Sequence, residues 1–405
     1  MTLTKQFTPR INIKKSRISN EFLFVVYFWG FTLLKPLLNV FLDKSTFILL
    51  VFAVIIMSLS LVKILFAKRM NVKGYYLILG IVGVILIDQM IRPNSKTLQY
   101  LYEFAIYGVI PIHLFSQIKN PEELLRIYSK VSVLAFFMFF LDPFFDYHFL
   151  SDYMTFGFYF ALPAYIGLFI GRKFLNFKWM WTLELICLIE LILFANRSAF
   201  LSILVFWILV EIIYERKKKK LILLFIILGS ILFFIQDILK FVISLLIENG
   251  LYSYSLRHMQ IYLMESNWTG MFSGRFEIWN QASNMIQENV LFGSGTGSFQ
   301  DRYASYSHNL YLDIMVQYGL LGMFAFVSLL LKSIRLVHNA RNYELLLGIA
   351  LFSLWFPKLF FSVYFYRDIA IWCFLVLGLL KNKHSIKGRV NSMESMEVSY
   401  ENFNR

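Results

Sequence analysis

Three side chains in this 405-residue chain could together transfer a group carried on a pyrophosphate. Arg197 and Arg275 are planar, permanently charged and suited to bidentate contacts with phosphate oxygens. His308 carries an imidazole, a group that can take a proton from an attacking hydroxyl near neutral pH. We therefore predict a catalytic site made of Arg197, Arg275 and His308.

Each of these residues also has a structural interpretation. Arg197, in the sequence ANRSAFL, could be a flanking residue that reaches the lipid headgroups. Arg275 could be a surface residue paired with Glu277 or Asp301. His308 could simply begin a helix, because both of its neighbours are good N-cap types.

Two local elements lie between Arg275 and His308. The stretch GSGTGSF (Gly293–Phe299) superficially resembles a dinucleotide-binding loop, but no βαβ pattern surrounds it. Its glycines either let backbone amides approach a ligand or build tight turns, and we favour the turns. A short amphipathic helix at the membrane surface is predicted by apolar residues at roughly helical spacing, namely Phe276, Trp279, Ala282 and Ile286.

The composition predicts an all-α polytopic membrane protein. The chain is 58% hydrophobic and 16% charged, and apolar runs of about 20 residues, the length that crosses a bilayer, recur along it. The two cysteines, Cys187 and Cys373, fall in the middle of apolar runs, which argues against a disulfide framework. No metal-ligand spacing is present, so we expect no metal site and no cofactor.

The apolar runs predict about twelve transmembrane helices. Nine precede a large extracytoplasmic loop at 240–307, three follow it within 308–380, and a cytoplasmic tail occupies 381–405. Of the 39 Lys and Arg residues, 27 fall on the N-terminal side of the membrane and 10 on the other. This asymmetry predicts that both termini are cytoplasmic and accounts for the net charge of +14 without a nucleic-acid partner. The predicted spans are 22–42, 45–66, 74–91, 98–117, 126–145, 153–171, 179–195, 199–214, 221–239, 308–331, 343–361 and 366–380.

Several charged residues lie within or at the edge of predicted spans, where charge is costly unless it is paired or functional. Asp88 and Arg92 are four residues apart and can pair on one helix face. Glu103, Glu184 and Glu190 lie inside spans, and we expect most such residues to be structural.

Taken in order, the motifs resemble a known family. The chain has Arg275–Trp279, then the glycine-rich turn, then His-Asn-Leu-Tyr-Leu at 308–312 and Tyr-Gly-Leu-Leu-Gly at 318–322. Upstream, the NRSA sequence at 196–199 is similar to a Ser-Arg-Ser element of that family, although Asn replaces the first Ser. This pattern resembles the shared region of bacterial O-antigen ligases and O-antigen or capsule repeat-unit polymerases.

The resemblance implies an inverting, metal-independent glycosyltransferase of the bacterial inner membrane, with its active site facing the periplasm or exterior. Its donor and acceptor would be polyprenyl-pyrophosphate-linked glycans in the lipid bilayer, and a chain-length regulator protein would be a possible partner. Besides the three catalytic residues, the motif positions implied to bind substrate are Trp279, Asn309 and Tyr311.

Three other functions remain open from the sequence. A ligase would transfer the glycan to a lipid A core rather than to another repeat unit. A flippase for lipid-linked oligosaccharides would also need many spans and buried cations, but its charges should line the central spans and not one outer face. A non-catalytic membrane scaffold is the third.

Overall fold

The computed structural model describes residues 18–41, 45–67, 71–139, 156–193, 197–215, 241, 244–245, 248, 275–340, 342–361 and 365–380. All regular secondary structure in these ranges is helical. The predicted ninth span, most of the large loop and both tails lie outside the described residues. The all-α prediction is therefore confirmed for the part of the chain that the structure covers.

The α-helices of the described residues are named here in chain order. They are α1 (Asn20–Phe41), α2 (Ser45–Ala67), α3 (Lys73–Ile91), α4 (Thr97–Phe104), α5 (Ile110–Ser116), α6 (Pro121–Phe139), α7 (Leu162–Phe174), α8 (Trp181–Leu193), α9 (Arg197–Leu209), α10 (Arg275–Glu288), α11 (Ser298–Tyr303), α12 (Leu310–Asn339), α13 (Asn342–Phe361) and α14 (Ile369–Leu377). Single turns of other helix types complete the set: π-helical Ala105–Val109, Phe156–Ala161 and Val210–Tyr214, and 3-10 Lys178–Met180 and Phe365–Arg367.

Within the described residues, 4 helices are long and apolar enough to cross a membrane, and they lie in α2, α3, α12 and α13. This supports an integral membrane protein. The other predicted spans within the described ranges coincide wholly or in part with helices, several of them short or continued by π-helical turns. The count of twelve crossings therefore remains a prediction.

The helix α3 connects two ends of the bundle. At its start, the amide of Asn71 donates to Gln117 Oε1 over 3.2 Å, and Asn20 Nδ2 donates to the Gln117 carbonyl over 3.1 Å. At its end, Arg92 donates to the carbonyl of Gly293. A helix of 19 residues separates these two ends by about 28 Å, close to the thickness of a hydrocarbon core.

We call the end of the bundle where Arg92 contacts Gly293 the loop end, because the described part of the predicted loop packs there. Ser95 Oγ donates to Asp301 Oδ1 over 3.0 Å, and Asn309 Nδ2 donates to the Phe360 carbonyl over 3.4 Å. The loop end thus joins the segment between α10 and α12 to the ends of α3 and α13. Which side of the membrane it faces is a prediction from the charge asymmetry.

Candidate functional site

The glycine-rich sequence forms a turn, as favoured from the sequence. Gly293, Gly295 and Gly297 have φ values of 68°, 101° and 78°, all in the left-handed region. Residues with a Cβ seldom adopt this conformation, and at Gly293 a Cβ would come within 2.5 Å of the Gln317 backbone. The turn is therefore specified by glycine and lies directly against α12.

The helix α12 is broken where the turn meets it. Gly319 has φ 61° and ψ −157°, so α12 consists of a first part, 310–318, and a second part, 320–339. A Cβ on Gly319 would lie 2.5 Å from the Leu291 carbonyl. The sequence prediction of one continuous span over 308–331 missed this break, because a single Gly within an apolar run does not by itself indicate one.

Backbone hydrogen bonds between the turn and the break replace those that the helix loses. The amides of Leu320 and Leu321 donate to Val290 and Leu291 over 2.9 and 3.2 Å. In return, Val316 accepts from the amide of Ser294 over 2.6 Å, and Gln317 accepts from that of Gly295 over 3.0 Å. Broken helices persist at membrane depth only where protein satisfies the released backbone groups in this way.

The ion pair predicted between Asp88 and Arg92 is confirmed, and it holds the turn. Arg92 Nε lies 2.9 Å from Asp88 Oδ1. Arg92 also donates to the Gly293 carbonyl, while Asp88 Oδ2 accepts from the amide of Thr296. The buried carboxylate and its guanidinium thus fix both sides of the turn to the end of α3.

A chain of hydroxyl groups links the turn to the last helix. Thr296 Oγ1 lies 3.0 Å from the hydroxyl of Tyr318, which in turn contacts the hydroxyl of Tyr366. Tyr366 belongs to the 3-10 turn that precedes α14. The motif residue Tyr318 therefore connects the turn, the broken helix and α14.

The predicted amphipathic helix is confirmed as α10, with Arg275 as its first residue. It does not simply lie on a membrane surface, because its buried residues Ala282 and Met285 pack with Phe299 and Val316 of the next helices. Its other apolar residues remain accessible: Phe276 is exposed, and Trp279 is half-buried, with ring centroids 5.9 Å apart.

Arg275 is the first residue of α10, and His308 lies two residues before α12. The chain after α10 meets the broken helix where Val290 accepts from Leu320. Ala282 and Met285 of α10 pack with Val316 in the first part of α12. Along the chain, both helices therefore lead from these two residues towards the break at Gly319.

The backbone at His308 has an unusual conformation, with φ 53°. Left-handed backbone is uncommon outside glycine, although histidine is among the types that tolerate it. The half-buried imidazole packs against the Tyr306 ring at a tilt of 38°, with ring centroids 4.1 Å apart. His308 thus lies immediately before α12 and not within it.

The two predicted binding residues after His308 have structural contacts. Asn309 is the N-cap of α12, and its Oδ1 accepts from the amides of Tyr311 and Leu312 over 3.0 and 3.2 Å. The Tyr311 ring packs 5.0 Å from that of Phe360. The role of Asn309 and Tyr311 in binding substrate remains a prediction. Asn309 caps the helix, as its residue type indicated when we considered His308 as a helix-start residue.

Arg197 is the first residue of α9, so its backbone begins a helix just as that of Arg275 does. Its side chain lies outside the described residues. Whether it approaches Arg275 is therefore a prediction. Two residues later in α9, Ala199 is buried.

A surface ion pair braces the outer side of the turn. Arg302 Nη1 donates to both oxygens of Glu288 over 3.0 and 2.8 Å. Hydrogen bonding and charge from Glu288 raise the pKa of the Arg302 guanidinium. In the described residues, no group of three His, Cys, Asp or Glu side chains is placed to hold a metal ion.

The fold and the site define a class: a helical membrane protein in which a glycine turn contributes backbone hydrogen bonds to a broken helix. Residues 183–327 match the family model described as O-antigen ligase. This stretch contains Arg197, Arg275, the turn, His308 and the break at Gly319. The family resemblance predicted from the motifs is thereby confirmed, and it indicates a membrane enzyme of polysaccharide synthesis. No curated protein and no solved structure matches the chain.

Proposed function

We propose that this protein is a glycosyltransferase that polymerises polyprenyl-pyrophosphate-linked repeat units into an O-antigen or capsular polysaccharide. The observation that supports the proposal is that Arg275 is the first residue of α10 and His308 lies two residues before α12, and that these two helices pack together beside the Gly319 break. We propose that they hold a cation for the leaving group and a base for the nucleophile.

In the proposed reaction, a hydroxyl of the acceptor sugar attacks the anomeric carbon of the donor glycan. His308 takes the hydroxyl proton as the new C–O bond forms. The bond from the anomeric carbon to the pyrophosphate oxygen breaks, and polyprenyl pyrophosphate leaves with the bonding electrons. Attack from the opposite face inverts the anomeric centre, and the chemistry requires no metal.

The leaving group gains negative charge as the bond breaks, so it needs fixed positive charge. Arg275 lies in the first turn of α10, where the unpaired amides of a helix N-terminus also favour an anion. Arg197 starts α9 in the same way. We propose that the two guanidiniums share the pyrophosphate and stabilise it most strongly in the transition state.

A second candidate is an O-antigen ligase, which would use the same donor and leaving group with a lipid A core as acceptor. The description of the matching family model favours it. The preference for a polymerase rests on the divergence of the chain outside the motifs and on its predicted layout, and not on any diagnostic residue. Both candidates place the enzyme in the inner membrane with its loop end outside.

A glycan ladder on a gel, from cells with and without the gene, tests the choice. Loss of all chains longer than one repeat unit on the lipid-linked pool and on the surface identifies a polymerase. Accumulation of long lipid-linked polymer that is never attached to a core identifies a ligase. An unchanged ladder contradicts both.

A further inference from the structure

A buried carboxylate at the loop end has an acceptor oxygen that nothing in the described protein uses. Glu103 is 4% exposed. Its Oε1 accepts from Arg367 Nη2 over 2.5 Å and from Gln99 Nε2 over 3.0 Å. Its Oε2 is buried and has no hydrogen-bond partner in the described residues. A buried carboxylate oxygen left without a donor is costly, so such an atom points to a ligand that supplies one.

The partner of Glu103 is held in place but remains accessible. Arg367 ends the 3-10 turn before α14, and the next residue, Asp368, caps that helix by accepting from the amide of Ile371 over 3.0 Å. The Arg367 side chain is 44% exposed. A planar guanidinium fixed at one edge by a carboxylate can still offer donors to a ligand.

Printed contacts aside, α13 connects this pair to the segment that holds the proposed base. Asp368, the residue after Arg367, pairs with Lys358 of α13. Phe360, two residues further along α13, accepts from Asn309, the residue after His308. A ligand bound at Arg367 and Glu103 would therefore lie beside the end of α13 that also contacts the start of α12.

The charge balance of the cluster distinguishes it from a pyrophosphate site. Arg367 is neutralised by Glu103, and the buried Lys358 is neutralised by Asp368 while it also lies 4.9 Å from the centre of the Tyr159 ring. With no excess positive charge, the cluster has no preference for an anion. Paired charged groups beside aromatic rings instead suit an uncharged ligand rich in hydroxyl groups.

We propose that Glu103 and Arg367 bind the acceptor sugar, with Glu103 Oε2 accepting from one of its hydroxyl groups and Arg367 donating to ring or hydroxyl oxygens. This proposal rests on the proposed function and adds a specific site to it. It separates the acceptor, held by a neutral ion pair, from the donor pyrophosphate, held by Arg197 and Arg275.

The test is binding of the free repeat-unit oligosaccharide, released by mild acid from the cell's own lipid-linked pool, to the full-length protein in nanodiscs. Saturation-transfer NMR reports this contact without turnover. We expect Glu103→Gln and Arg367→Lys each to weaken binding about tenfold or more, the effect of losing hydrogen bonds to charged groups. Because Arg367 is partly exposed, its variant carries the test if Glu103→Gln does not fold.

The matched controls are Glu288→Gln and Arg302→Lys, which alter another carboxylate–guanidinium pair of the loop end. They should bind the oligosaccharide like the wild type. Wild-type binding by Glu103→Gln and Arg367→Lys at unchanged melting temperature would overturn the acceptor site and leave the proposed function standing. Failure of the wild-type protein to bind the oligosaccharide at all would count against the proposed function itself.

Discussion

The amide of Leu320 donates to the carbonyl of Val290 over 2.9 Å. The carbonyl of Val316, four residues before Leu320, accepts from the amide of Ser294 over 2.6 Å. Through this exchange, the glycine turn becomes part of the backbone of α12. The two family motifs, the glycine-rich turn and the Tyr-Gly-Leu-Leu-Gly sequence, are therefore two halves of one structure.

The exchange predicts that Gly319 cannot be replaced. A Cβ there would combine a φ of 61° with a 2.5 Å approach to the Leu291 carbonyl, so Gly319→Ala should cost about 1–3 kcal/mol or more and abolish polymer formation. The control is Gly80→Ala in α3, where a Cβ meets nothing within 4 Å. Thermal unfolding in detergent measures the effect. Equal melting temperatures for the two variants would show that the contact between Gly319 and the turn does not stabilise the fold.

The Asp88–Arg92 pair should couple more strongly than an exposed pair of the same spacing. Both Asp88–Arg92 and Glu122–Arg126 are separated by four residues, but the acidic side chain is 5% exposed in the first and 43% in the second. A double-mutant cycle should give about 0.5 kcal/mol or less for the exposed pair and several times more for the buried one.

Equilibrium unfolding in mixed detergent measures both coupling energies. The Asp88→Asn variant should also weaken the hold on the turn, because Asp88 accepts from the Thr296 amide. Indistinguishable coupling energies for the two pairs would show that Asp88 and Arg92 do not clamp the turn.

Arg275 should be intolerant of lysine. An ammonium keeps the charge but loses the planar fork, so Arg275→Lys should retain protein abundance and lose most polymer. Arg302→Lys, an arginine of the same segment whose contact is the surface carboxylate Glu288, should make normal polymer. Glycan ladders at matched protein levels compare the two variants. A normal ladder from Arg275→Lys would show that Arg275 does not act in the site.

His308 allows a test that separates conformation from chemistry. Its φ of 53° is compatible with Asn and Gly, so His308→Asn and His308→Gly should fold as well as the wild type. Both should lose about 10² to 10⁴ in rate, the contribution of a general base. Added imidazole should partly restore the reaction rate of His308→Gly. Full activity of His308→Asn would show that the role of His308 is structural.

The sidedness of the chain is tested by reporter fusions. The charge asymmetry predicts that residue 218 is cytoplasmic and residue 290 external. Fusions that place both residues on the same side of the membrane would contradict the predicted arrangement.

Local features of the site were predictable from sequence, and distant ones were not. The helix α10, the turn at 293–299 and the Asp88–Arg92 pair each depend on spacing within a few residues. The break at Gly319 depends on the turn that fills it, and the Glu103–Arg367 contact joins residues 264 apart. A charged residue inside a predicted span was the one available signal for Glu103, and Arg367 gave none beyond its place at the edge of the last predicted span.

The most direct measurement of the central claim uses the purified protein in nanodiscs with lipid-linked repeat units as both donor and acceptor. The account predicts longer lipid-linked chains, one polyprenyl pyrophosphate released per new linkage, and an inverted anomeric centre in the product. His308→Asn should release polyprenyl pyrophosphate at least about 100-fold more slowly. Chain growth at the wild-type rate by this variant, or retention of the anomeric configuration, would contradict the account.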